Sequence, residues 1–213
     1  MGHVLDKYGI KMSKHKGNVV DGDKIMYVCG KYLREKGQLN GNTVVTTVMS
    51  NLGLYKSLER EGIDYEQTAV GDKYVAENMM ANNYSIGGEQ SGHVIFSRYA
   101  ATGDGILNSL MIMEACVEQK ATLCDLAKEM KVYPQILRNV RVADKKTARE
   151  NPKVVEAVEA AARALSTDGR ILVRESGTEP LIRVMVEAGT EEICAEHVNN
   201  VVRVMEEEGL VVE

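Results

Sequence analysis

Ten residues, Arg174-Glu175-Ser176-Gly177-Thr178-Glu179-Pro180-Leu181-Ile182-Arg183, carry the groups that a phosphate monoester calls for. Arg174 and Arg183 offer planar, permanently charged forks, Ser176 and Thr178 offer hydroxyls, and Gly177 lets backbone N–H groups come close. Glu175 and Glu179 keep the segment from being an undiscriminating basic patch. The competing reading is a polar hairpin turn with a surface ion pair, but ordinary turns rarely combine two arginines, two hydroxyls and a glycine. A second stretch, Gly88-Glu89-Gln90-Ser91-Gly92-His93, suits a sugar. A hexose is recognised by its hydroxyls, and the Glu89 carboxylate can accept from two neighbouring ones while Ser91 both donates and accepts. Gly88 and Gly92 allow close backbone approach. His93 has two readings: it contacts substrate and assists proton movement, or it is a hydrogen-bonded residue at a strand start. Asp72-Lys73 reads as a helix cap and a solvated lysine, or as a basic group on the substrate side.

The elements around these stretches alternate as an α/β layer does. Apolar residues at helical spacing from Asp21 to Gly37 predict a helix, and the β-branched run 43–48 predicts a buried strand. A helix over 52–61 closes at Gly62, a short strand is expected at 68–70, and a helix at 72–82 has Asp72 near its cap. The Glu89 loop is entered from 84–86 and left through a strand at 94–96. Asp104 caps a long apolar helix, and a shorter one is expected at 123–130. Pro134 marks a boundary, after which 136–142 is a strand and Pro152 opens a helix. Strands on either side of the Arg174 loop and a helix at 191–207 complete a small α+β pattern, with helices on one face of an antiparallel sheet. The expected fold is one three-layer α/β domain, residues 17–132, followed by the α+β domain, residues 133–213.

The motifs resemble those of the α-D-phosphohexomutases. Arg-x-Ser-Gly-Thr-Glu-Pro-x-x-Arg is similar to that superfamily's C-terminal phosphate-binding loop. The Glu89 stretch resembles its sugar-binding loop, in the form typical of the bacterial phosphoglucosamine mutase branch. The likeness runs from about Gly17 to the C-terminus and takes in 47–53, 70–75 and 102–105. It implies an isomerase of amino-sugar metabolism that makes a cell-wall precursor, converting glucosamine 6-phosphate to glucosamine 1-phosphate. An enzyme phosphoserine donates its phosphoryl group, and the bisphosphate turns over before returning the other one. The family carries arginine where Lys73 stands, and lysine lacks its fork. Two working parts of the family have no counterpart in this sequence: the Thr-Ala-Ser-His-Asn serine loop and the Asp-Gly-Asp-x-Asp-Arg magnesium loop. Asp21-Gly22-Asp23 is read as helix-capping carboxylates rather than a metal site. The resemblance thus implies the truncated, C-terminal half, with no catalytic residue or Mg²⁺ ligand of its own. A phosphomannomutase or phosphoglucomutase fragment and a non-catalytic phosphosugar-binding module are the alternatives.

Residues 1–16 are of a different kind. Gly9 to Asn18 resembles the KMSKS loop of class I aminoacyl-tRNA synthetases, with His15 in place of the last serine. Without the rest of such an enzyme, these residues read as a basic arm of different origin, and a synthetase appendage is the remaining reading. Composition bounds the partners. With 26 basic and 31 acidic residues in 213, the formal charge of −5 argues against nucleic acid and gives no reason to expect an anionic membrane. No apolar run approaches the ~20 residues of a membrane span, and no signal peptide opens the chain. Cys29, Cys116, Cys124 and Cys194 lack the spacing of a zinc or redox site, which points to a reduced, cytoplasmic protein. A hexosamine phosphate is the expected partner, with a homodimer or other self-association through an exposed domain interface.

Overall fold

The computed structural model describes residues 20–212. The chain divides into two compact units between Val132 and Tyr133. The first opens with helix α1 (Gly22–Glu35), whose N-terminus is capped by Asp21 accepting from Lys24 N at 3.2 Å. There follow β1 (Thr43–Thr47), α2 (Leu52–Glu61), β2 (Asp64–Thr68), α3 (Asp72–Asn82), β3 (Ile86–Gly88), β4 (Val94–Phe96), α4 (Gly105–Glu118) and α5 (Leu123–Ala127). The sheet order is β2-β1-β3-β4, parallel except for β4.

Alternation along the strands makes this sheet the middle of three layers. Val44, Ile86, Val94 and Phe96 pack on one face with Met26 and Cys29 of α1 and Leu54 and Leu58 of α2. Val45 and Ile95 turn to the other face, against Val75 and Met79 of α3. From β1 the chain passes to β2 on one side and then to β3 on the other. The C-terminal ends of β1 and β3 therefore flank a topological switch point, where open α/β sheets place their ligands.

The second unit contains β5 (Gln135–Arg141), α6 (Lys145–Glu150), α7 (Pro152–Leu165), β6 (Arg170–Glu175), β7 (Leu181–Glu187) and α8 (Glu191–Glu207). Its antiparallel sheet has the order β5-β7-β6. Ile182, Val184 and Val186 face the helices, packing on Val154 and Ala157 of α7 and on Cys194, Val198 and Val201 of α8. Arg183 alternates with them and points to the opposite face, beside Arg174.

Three local expectations need correction. The strand expected at 68–70 lies upstream, as β2, with Thr68 its last residue. Its sequence, Asp-Tyr-Glu-Gln-Thr, is polar because β2 is a half-exposed edge, so backbone pairing to β1 rather than apolar alternation defines it. The helix expected over 123–130 stops at Ala127, where the chain turns and brings the Glu129 carboxylate to Tyr27 Oη and Lys31 Nζ, both at 3.1 Å. The cap position of α3 is Gly71, not Asp72; Asp72 is the first helical residue and accepts from Lys73 N at 2.8 Å. Helix α6, absent from the sequence reading, is a short element started by Asp144, which accepts from Thr147 N at 2.6 Å. The synthetase-like arm lies outside the described residues.

Candidate functional site

The sugar-type loop joins β3 to β4 across the C-terminal end of β3. Glu89 N donates to His93 O and Gly92 N to Glu89 O, each at 3.0 Å, so Glu89 to His93 is a closed turn on a sheet rung. Two elements brace it. Gly22, at the start of α1, donates to Gln90 O at 3.0 Å, and a Cβ there would stand 2.0 Å from Glu89 O. Gly71, ahead of α3, donates its N–H to Glu89 Oε1 at 3.0 Å, which fixes the carboxylate and leaves its other oxygen for a hydroxyl. Ser91 and His93 are exposed. His93 Nε2 lies 3.6 Å from Asp72 Oδ2, and its ring packs so closely on Gly103 that a Cβ there would sit 2.5 Å from Cδ2. Glu89, His93, Asp72 and the Thr102–Asp104 turn thus converge. Lys73 does not join them: its ammonium lies 3.7 Å from Glu77 and over the Tyr74 ring, along the surface of α3.

The phosphate-type loop is the β6–β7 turn. Arg174 and Arg183 are direct cross-strand partners, which sets two like charges side by side on one face. Each keeps a buried Nε for which the described residues supply no partner. Burial first, and then the Arg183 charge, push the Arg174 guanidinium below the ordinary arginine value. Such a pair wants an anion. Glu179 is the carboxylate at hand, 3.5 Å from Arg183, and it is half-exposed. The Ser176 hydroxyl is buried beneath the turn, 3.5 Å from the Arg183 guanidinium and 3.4 Å from Glu179 N. Gly177 and Thr178 form the exposed tip, and the space where a Gly177 side chain would project is open for 4 Å. Two further bonds hold the turn: Ser176 N donates to Leu181 O at 2.9 Å, and Lys145 Nζ donates to Ser176 O at 2.8 Å.

Sequence reasoning missed Lys145, and it quoted Gly22, Gly71 and Gly103 without assigning them a part in bracing the loops. Each acts on a loop elsewhere in the sequence, so its contact is not legible locally; the Asp144-Lys145-Lys146-Thr147 cap signal was the available trace of the first. A cavity of about 620 Å³ lies in the first unit where the chain enters β3 and leaves β4, among Asn40, Met80, Tyr84, Arg98 and Tyr99. It is remote from the bracing contacts above, and the convergence of groups outweighs its size. Among the described residues no three His, Cys, Asp or Glu side chains gather as a metal site. Asp21 is committed to Lys24 N, and buried Asp23 accepts from Asn51 N at 2.7 Å.

Comparison with known proteins places this architecture. Residues 21–133 match the model of phosphoglucomutase/phosphomannomutase α/β/α domain III, and residues 137–204 match that of the C-terminal domain. The phosphoglucosamine mutase of Lachnoclostridium phytofermentans is 58% identical over 193 residues, which cover 91% of this chain and 43% of that enzyme. The phosphoglucosamine mutase of Bacillus subtilis is 54% identical over the same shares. The chain thus spans less than half the length of these relatives. Among solved structures, Aspergillus fumigatus N-acetylphosphoglucosamine mutase superposes with a TM-score of 0.77 at 19% identity, over 98% of this chain and 46% of that one. The same fungal enzyme in complex with GlcNAc-6P and magnesium superposes at 0.74 and 18% identity, over 95% and 49%. Among the described residues, no helix is long and apolar enough to cross a membrane. With both of its units matched in order, the chain belongs to the phosphoglucomutase/phosphomannomutase family, of which it carries domain III and the C-terminal domain.

Proposed function

We propose that this chain is the sugar- and phosphate-recognising half of a phosphoglucosamine mutase, acting on glucosamine 6-phosphate and glucosamine 1-phosphate. The observation that carries the reading is the Arg174–Arg183 pair, two adjacent guanidiniums with buried Nε groups that an anion would complete. Arg174, Ser176, Gly177, Thr178 and Arg183 are the proposed phosphate ligands, and Glu89, Ser91 and His93 the sugar ligands. The complexed fungal structure, with its hexosamine phosphate, supports the ligand class. Lys73 is a weaker candidate, given its engagement with Glu77.

Mutation of a sugar phosphate by way of a bisphosphate requires one site to hold either phosphate in turn. A pair of arginine forks flanked by hydroxyls answers to charge and tetrahedral shape, not to which ring carbon bears the ester. A carboxylate with one oxygen pinned on Gly71 N accepts hydroxyls presented in either sense. These are positioning and electrostatic roles. Covalent transfer is assigned to residues this chain does not carry, so the polypeptide alone is expected to show no turnover of glucosamine 6-phosphate with a bisphosphate activator and Mg²⁺. Turnover above blank would overturn that part. The direct test is calorimetric titration of glucosamine 6-phosphate into the parent chain and into an Arg174→Ala, Arg183→Ala double variant. Binding by the parent and its loss in the variant is the expected result. Equal binding by both would sink the assignment.

A further inference from the structure

The second unit's sheet carries a third arginine on the face that holds Arg174 and Arg183. In β5, Val140 and Val142 sit in the core beneath the helices, with Ile182 and Val184 of β7. Arg141 lies between those two valines, so it points to the opposite face, where Arg183 and its cross-strand partner Arg174 stand. Register sets Arg141 across from Leu181 and Asn139 across from Arg183. Arg141 and Arg183 are thus diagonal neighbours on adjacent strands, about 7–8 Å apart. The other two corners of that square, Asn139 and Leu181, are neutral.

The carboxylates of this unit do not answer Arg141. Arg149, Arg163, Arg170, Arg183 and Arg203 each pair with one, whereas exposed Arg141 pairs with none among the described residues. Glu175 faces the helices and lies 3.0 Å from Arg149. Glu187 shares the open face but is buried, accepting from Arg170 Nε at 2.7 Å and Gln135 Nε2 at 2.8 Å. Glu179 therefore stands alone against three guanidiniums, in a chain whose formal charge is −5. A phosphate monoester carries a charge of about −2, which the Arg174–Arg183 pair already matches. Arg141 is left for a second anionic group, set from the first by a distance that a hexose with a phosphate at each end can span.

We propose that Arg141 is a second anchor for a hexose bisphosphate, holding one phosphoryl group while the other sits on Arg174 and Arg183. This rests on the reading of the chain as the recognition half of a phosphoglucosamine mutase. A bisphosphate that exchanges its two phosphoryl groups at one arginine pair stays bound if each release occurs with the other group held, because rebinding is then intramolecular. The test is calorimetric titration of glucosamine 1,6-bisphosphate and of glucosamine 6-phosphate into the chain and into Arg141→Ala and Arg138→Ala variants. Arg138 is exposed on the same strand but on the helix side, opposite Val184, so it controls for net charge. The parent should prefer the bisphosphate. Arg141→Ala should lower bisphosphate affinity about tenfold or more and monophosphate affinity less than about twofold. Arg141→Lys should restore part of the loss, and Arg138→Ala should leave the ratio of the two affinities unchanged. The same ratio in Arg141→Ala as in the parent overturns the proposal. So does an equal fall in Arg138→Ala, which reduces the effect to net charge. A parent that binds both ligands alike removes this proposal only, whereas a parent that binds neither removes the phosphosugar reading as well.

Discussion

Arg174 and Arg183 repel each other across a strand pair, and Lys145 adds a third cation by bonding the carbonyl of Ser176 between them. Hydrogen bonds to charged groups contribute about 1.5–3 kcal/mol each. Removing either arginine is therefore expected to weaken phosphosugar binding by about 10–100-fold, measured by titration calorimetry, with the fold unchanged. Lys145 acts one step back, on the shape of the turn. Lys145→Ala should cost roughly 1 kcal/mol of binding, about fivefold, and Lys145→Arg should restore most of it. If both variants bind like the parent, the contact to Ser176 is incidental. The two readings of His93 separate through its neighbour. Gly103→Ala must push the imidazole aside, since the new Cβ would meet Cδ2 at 2.5 Å. A change in phosphosugar affinity without loss of stability makes His93 a substrate contact; unchanged affinity makes it a strand-start residue.

At the scale of elements, the β3–β4 loop is held by the beginnings of two helices, α1 through Gly22 and α3 through Gly71. Gly22→Ala puts a methyl group 2.0 Å from Glu89 O, so the loop or the helix must move. The expected outcome is a loss of about 1–3 kcal/mol in urea unfolding together with weaker binding, from a residue that touches no ligand. Asn151 caps α7, accepting from Lys153 N at 2.9 Å and Val154 N at 3.3 Å. Asn151→Ala should cost about 1 kcal/mol of stability without touching the site, and serves as the control for nonspecific loosening.

For the molecule as a whole, the core of the first unit sets an alkaline limit. Burial pushes the Cys29 thiol and the Tyr27 and Tyr32 phenols up to about 12, from ordinary values of 9.0 and 10.0. Glu114 adds to the rise at Tyr32 by accepting its hydrogen bond. All three keep their protons longer when folded than when unfolded. Between pH 9 and pH 12 the native state thus binds more protons, and stability falls as pH rises through that window. The contribution is complete below pH 9. Urea unfolding at pH 8 and pH 11 should show the loss, and Tyr27→Phe should lose less than the parent. Equal losses in the two proteins would remove Tyr27 from the account.

The sequence by itself determined the three-layer and α+β classes, and helices α2, α3 and α8 to the residue, because caps, breakers and apolar periods are local signals that the chain carries wherever it folds. It misplaced β2, whose polar residues follow no apolar alternation and whose existence depends on a partner strand. Only the tertiary structure decided that Arg174 and Arg183 share a face, that Gly71 pins Glu89, and that Lys145 secures the β6–β7 turn. Those are relations between segments tens of residues apart or on facing strands, set by register and packing rather than by neighbouring residues. The same is true of α4. Its apolar residues were legible as a helix, but which of them faced a core and which faced solvent depended on its packing against α1 and β4.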